Sequence, residues 1–194
     1  MRSKALLFIP LALAQLIVPT LMIHQHETVL REGALYKFRT APIDPRDPFR
    51  GEYVTLDLAA ESGEWYCPWP SSSDGDAHLF ASLGTDSLGF ATLTTLSSDA
   101  PEAPHLEVTV YSYQPDTSFK IERVSLPFDR FYMEEGEGAR AEALMRPRWQ
   151  DDVRIEPMEA YVLVRVYKGE AVVEDLVVGG KPIREWMKED VTTE

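Results

Sequence analysis

Residues 42–58 read PIDPRDPFRGEYVTLDL and divide into two kinds of sequence. Positions 42–52 carry three prolines, Arg46 and Arg50, the acids Asp44, Asp47 and Glu52, and Gly51. Asp44, before Pro45, is placed to accept backbone N–H groups of a turn. Pro48 keeps Asp47 out of the α region, so successive tight turns are expected in place of a helix. Gly51 supplies a residue free to adopt positive φ as the chain turns back. From Tyr53 the pattern changes to period two, with Val54, Leu56 and Leu58 on one face and Tyr53, Thr55 and Asp57 on the other. That alternation predicts a half-buried strand.

The same signature recurs along the chain. Tyr36 and Phe38 share a face within residues 35–40, and residues 106–113 alternate Leu106, Val108 and Val110 with polar positions. Residues 161–168 set Val162, Val164 and Val166 on one side, and 171–178 follow after a hairpin-like Lys168-Gly169-Glu170 turn. Weaker strand patterns cover 79–83, 89–96 and 119–126. Helical signal after the N-terminus is confined to 139–146, which stops before Pro147, and 183–189, which follows Pro182. With 14 Pro and 11 Gly in 194 residues, short elements joined by turns are expected. A hydrophobic content of 44% is enough for a core. The predicted fold is mainly β, an antiparallel sandwich or partly open barrel, preceded by one N-terminal transmembrane helix.

That helix is predicted from residues 5–23, an uncharged run preceded by Arg2 and Lys4. At 1.5 Å per residue it spans roughly 28 Å, near the thickness of a bilayer's hydrocarbon core. Basic residues ahead of it favour a cytoplasmic N-terminus and place the rest of the chain outside the cytoplasm. A cleaved leader is the competing reading, because Ala12-Leu13-Ala14 has the small-x-small form of a cleavage site. The expected organisation is a cytoplasmic start (1–4), the membrane anchor (5–23), a juxtamembrane connector (24–33), an extracytoplasmic β-rich domain (34–183) and a C-terminal tail (184–194).

Charge narrows the partners. Residues 24–194 hold all 32 acidic residues but 17 of the 19 basic ones, a formal −15. Such a surface repels phosphate backbones, so no nucleic-acid partner is expected. A single cysteine, Cys67, excludes an internal disulfide. The four histidines (24, 26, 78 and 105) show no zinc-ligand spacing, and no Asp-rich loop of the EF-hand type occurs, so neither a metal nor a cofactor is expected. No nucleophile motif of the G-x-S-x-G or S-x-x-K kind is present.

The run from Asp44 to Leu58, with its P-x-D-P-R-D segment followed by Gly51-Glu52-Tyr53-Val54-Thr55-Leu56-Asp57-Leu58, resembles the bacterial membrane-anchored family named for its GDYXXLXY motif. Two positions depart from the pattern: Glu52 stands for Asp, and Leu58 for the final Tyr. Residues 128–136 (FDRFYMEEG), with Glu142 downstream, are similar to the family's aromatic, Arg-containing strand, and 168–182 resemble its closing hairpin. The resemblance covers most of residues 30–183. It implies placement at the bacterial inner membrane, single-pass with the domain outside, and implies no chemistry.

The candidate site is therefore the motif itself: Asp44, Pro45, Arg46, Asp47, Arg50, Gly51, Glu52, Tyr53 and Leu56. These residues form either a ligand or partner surface, or an ion-pair knot that fixes the turn through Arg–carboxylate bonds. A secondary set comprises Trp65 and Trp69, either packed in the core or a hairpin or presented as stacking aromatics, with Pro68 and Pro70 holding Trp69 in a fixed loop, together with Arg130, Glu135 and Glu142. Paired carboxylates around Glu135 would serve a hydrolase only across a defined cleft; otherwise they form a solvated acidic rim. The sequence thus favours a non-enzymatic interaction module docking a membrane or envelope partner, with a carboxylate hydrolase or a soluble-ligand domain as alternatives.

Overall fold

The computed structural model describes residues 2–43, 53–67, 76–111, 120–145, 148–150 and 153–190. Helix α1 (Arg2–Glu32) is continuous, so the segment read as a connector is helical through Glu32. Among the described residues no helix is long and apolar enough to cross a membrane; in α1 the described side chains begin at Gln15, so those of residues 5–14 are not among them. Of the side chains described, Leu16, Ile17, Val18, Leu21, Met22 and Ile23 are all more than half exposed.

The expected antiparallel β architecture follows, and the described strands do not close into a barrel. The main sheet contains β1 (Ala34–Ile43), β2 (Tyr53–Leu58), β8 (Arg130–Tyr132), β11 (Ala160–Tyr167), β12 (Glu170–Val178) and β13 (Lys181–Pro182). Their order is β13-β12-β11-β1-β2-β8, every neighbour antiparallel. A second sheet has β4 (Ala77–Thr85) between β5 (Ala91–Ser97) and β6 (His105–Val110). β3 (Ser62–Tyr66) pairs with β7 (Lys120–Arg123), and β9 (Arg148–Gln150) with β10 (Val153–Ile155).

Alternation explains the layering. β2 buries Val54, Leu56 and Leu58, and β11 buries Ala160, Val162, Val164 and Val166. These join Leu79 and Ala81 of β4, Leu106 and Val108 of β6 and Ile121 of β7 in one core. Helices α2 (Gly138–Met145) and α3 (Ile183–Asp190) add Ala141, Met145, Ile183 and Met187 to that core. The β11–β12 hairpin closes on Lys168 and Gly169, both at positive φ (50° and 88°), the geometry of a two-residue turn matched to strand twist. Pro42 sits inside β1, yet the ladder to β11 ends at Thr40↔Ala160, so its missing N–H breaks no bond on that side.

The end of α1 is tied to the main sheet. Gly33 N–H donates to the Val29 carbonyl (2.9 Å), and Val29 is buried. Arg165 on β11 donates from Nε to Glu174 Oε2 (2.7 Å) and from Nη1 to the Gly33 carbonyl (3.2 Å). Glu174 is the extra residue of a bulge: Leu163 pairs with Asp175, but Val164 pairs with Val173. A side chain at position 33 would put its Cβ 2.4 Å from the Val29 carbonyl and 3.2 Å from Arg165 Cβ. Glycine is required there by close approach.

Candidate functional site

The motif strand β2 lies between β1 and β8, and β8 belongs to the second stretch singled out in the sequence. The register sets Tyr53 opposite Tyr132, Val54 opposite Phe131 and Thr55 opposite Arg130. Two segments about 77 positions apart in the chain thus become neighbouring strands. Val54 and Phe131 face the core, which leaves Tyr53, Arg130 and Tyr132 on the opposite face. The two phenol rings lie 5.8 Å apart, and the Arg130 guanidinium sits 5.0 Å over the Tyr53 ring. Its Nε is 3.6 Å from Asp129 Oδ1. The Tyr132 hydroxyl and, next, the Asp129 carboxylate hold the Arg130 guanidinium above its ordinary range.

Leu56 is buried at 3% exposure, and its N–H donates to the Asp129 carbonyl (2.8 Å). Leu58 is also buried, at 1% exposure. The position where the family motif has Tyr is therefore a core position in this chain. Asp44, Pro45, Arg46, Asp47, Arg50, Gly51 and Glu52 lie outside the described residues, as does Trp69.

Trp65 is not a loop aromatic. It is on β3, 6% exposed, with its indole N–H donated to the Leu93 carbonyl (2.9 Å). Gly63, two residues earlier, makes room for the ring: a Cβ there would lie 2.6 Å from it. A groove of about 380 Å³ runs past Trp65, floored by Phe90 with Arg39 stacked 4.1 Å over its ring.

Glu135 stands exposed in the turn before α2, next to exposed Glu134. Glu137 of the same turn accepts the Glu134 N–H (3.4 Å) and acts as a local turn acceptor. Glu142 is on α2; its side chain is outside those described. Glu134 and Glu135 therefore do not form a buried acid–base pair. Among the described residues no group of His, Cys, Asp or Glu is arranged to hold a metal ion.

One carboxylate escaped the sequence reading. Glu61, in the single 3-10 turn after β2, is half-buried. Its carbonyl accepts Val124 N–H (3.0 Å) and its Oε1 accepts Leu126 N–H (2.9 Å). Burial pushes this carboxyl above the ordinary carboxylate range, opposed by the Leu126 N–H and Arg123 and reinforced by Asp57 and Asp129. Ser125, between the two clamped residues, exchanges both backbone bonds with Thr109 (2.9 and 2.7 Å). Glu61 thus fixes the segment that delivers β8 to β2. Nothing in local sequence marks it, because its partners lie over sixty positions away.

The second groove, about 630 Å³, opens beside β8. Phe131, Tyr132, Met133, Glu134 and Glu137 line one side, and Arg184, Met187 and Lys188 of α3 the other.

These features define a mainly β domain carried on an N-terminal helix, with its two sequence motifs joined at one end of the main sheet. A model of the GDYXXLXY protein family matches residues 15–176, and the chain belongs to that family. No curated protein and no solved structure matches it.

Proposed function

We propose that the chain is a membrane-anchored, non-enzymatic interaction module whose β domain stands outside the cytoplasm and docks a membrane or envelope partner. The observation that carries this reading is α1. Leu16, Ile17 and Val18, then Leu21, Met22 and Ile23, are consecutive and exposed, so apolar side chains point to every side of the helix. A helix apolar all round has no favourable aqueous face, and lipid is the environment that suits it. The uncharged run 5–23 and the preceding Arg2 and Lys4 support a single pass with the N-terminus inside.

The remaining polar part of α1, residues 24–32, adds roughly 13 Å of helix before the sheet begins. The acidic domain is thereby held off an anionic lipid surface. The β2–β8 face, with Tyr53, Arg130 and Tyr132, is the docking surface this reading favours, since aromatic and Arg side chains are the types that anchor interfaces.

Fusions of alkaline phosphatase and of green fluorescent protein to the C-terminus test the placement. Phosphatase activity with dark fluorescent fusions, and retention in membranes through carbonate extraction, are expected. A fluorescent, phosphatase-inactive pair would overturn it.

A further inference from the structure

Gln15 stands one residue from the middle of the uncharged run 5–23, and its side chain is exposed. Among the described residues its amide has no hydrogen-bond partner. Thr20, the run's other polar residue, donates its hydroxyl to the Leu16 carbonyl (2.7 Å) and is satisfied inside the helix. Pro19 adds a second loss at the place where Gln15 sits. It lies four residues after Gln15 and has no N–H, so the Gln15 carbonyl lacks the donor that an α-helix supplies from i+4. One residue thus presents a free side-chain amide and an open backbone carbonyl. In lipid, near the depth farthest from water, both are costly until another chain pairs them.

We propose that the membrane segments of two copies of this chain pair in parallel, with Gln15 against Gln15 at their contact. The inference goes beyond the docking reading above and rests on its placement of α1 in lipid. Depth and chemistry select the occupant. Two copies inserted in the same orientation hold Gln15 at the same level, whereas any other helix must bring its own donor to that level. A glutamine side chain carries two N–H donors and one carbonyl acceptor. Across a two-fold axis each Gln15 gives one N–H to the other copy's side-chain oxygen and one to the backbone carbonyl that Pro19 leaves open. Hydrogen bonds of this kind hold membrane helices together where no hydrophobic force acts between them. The acidic domains oppose pairing, since residues 24–194 carry a formal −15 in each copy. That repulsion is screened beyond roughly 8 Å at physiological ionic strength, so added salt should tighten the pair.

The test is energy transfer between donor- and acceptor-labelled full chains, tagged at the C-terminus and reconstituted together in phosphatidylcholine vesicles at about 0.15 M salt. Transfer in the wild type should fall as lipid is added, as for a reversible pair. Gln15→Leu makes the anchor more apolar; it should float with the vesicles as the wild type does, yet associate about tenfold more weakly. Pro19→Ala returns an N–H to the Gln15 carbonyl and should weaken the pair about threefold, although it mends the helix. Gln15→Asn keeps an amide and should pair more tightly than Gln15→Leu. Cross-linking reads the face. Met22 lies two turns beyond Gln15 on the same side of the helix, and Ile17 lies on the opposite side. A bifunctional thiol reagent should therefore capture Met22→Cys and not Ile17→Cys; Cys67 is buried.

Absence of transfer between wild-type chains that float with the vesicles overturns the pairing and leaves the membrane placement standing; Gln15 would then answer to a helix of another protein. Transfer that Gln15→Leu does not weaken, or equal capture at both cysteine positions, also overturns it. Chains that fail to float overturn placement and pairing together, so the two failures are distinguishable.

Discussion

Replacing Glu61 separates what its oxygen does from what its charge does. Glu61→Ala removes the acceptor of a part-buried Leu126 N–H and leaves that donor without a partner. An orphaned buried donor costs about 1–3 kcal/mol. At roughly 2–4 °C per kcal/mol for a chain of this size, the melting temperature should fall by several degrees. Glu61→Gln keeps a carbonyl oxygen for Leu126 and discards a charge that burial, Asp57 and Asp129 all disfavour. The folded carboxyl titrates above its unfolded counterpart, so the folded state binds the proton more tightly. The stability this gives is fully present below the unfolded value and is lost as pH rises through the folded one. At neutral pH the wild type therefore carries the ionised group at a cost. Glu61→Gln should melt at or above the wild type near pH 7, and its advantage should shrink as pH falls toward about 4. Scanning calorimetry of wild type and both variants across that range decides the matter. If Glu61→Gln melted as low as Glu61→Ala at pH 7, with the gap to wild type closing as pH falls, the carboxylate would be a stabilising ion and the reasoning would fail.

Trp65→Phe should destabilise the fold by about 1 kcal/mol through loss of the bond to the Leu93 carbonyl, and Trp65→Ala by about 3–5 kcal/mol through the cavity left in the core; urea melts measure both. Leu58→Tyr would restore the motif's final Tyr at a position only 1% exposed, and overpacking should cost about 1–3 kcal/mol with no gain in partner recovery. Gly33→Val should place its Cβ against the Val29 carbonyl and disrupt the junction of α1 with the sheet; loss of amide-exchange protection at Gly33 and Val29 is the expected readout. Arg165→Ala should loosen the same junction while the β11–β12 pairing persists.

Strands whose apolar positions alternate over six or more residues were legible because side-chain direction in a strand follows period two. Tyr53–Leu58 is the clearest case: its buried set is Val54, Leu56 and Leu58, as the alternation requires. Residues 161–168 were displaced by one position from β11, and residues 119–126 overran β7, which ends at Arg123. β8 has three residues, too few for any period, and only its likeness to a family motif drew attention to it. Trp65 takes the packed one of its two readings, but the surfaces that hold it are not readable locally. The density of prolines after Cys67 suggested a loop, but the ring is fixed by its register with Ile121 and by a carbonyl on β5, neither of which is local.

The site was legible only as two separate stretches. Glu61 and Thr109 hold residues 124–126, through bonds that join the β2–β3 turn and β6 to the approach to β8. A motif strand alternates outward-facing Tyr53 and Thr55 with core residues in any antiparallel sheet. It becomes the wall of a surface only when a second strand sets Arg130 and Tyr132 beside it. The chemistry that distinguishes this face therefore comes from long-range pairing. The most conspicuous sequence element supplies half of it, and an inconspicuous glutamate helps to hold the segment that leads to the other half.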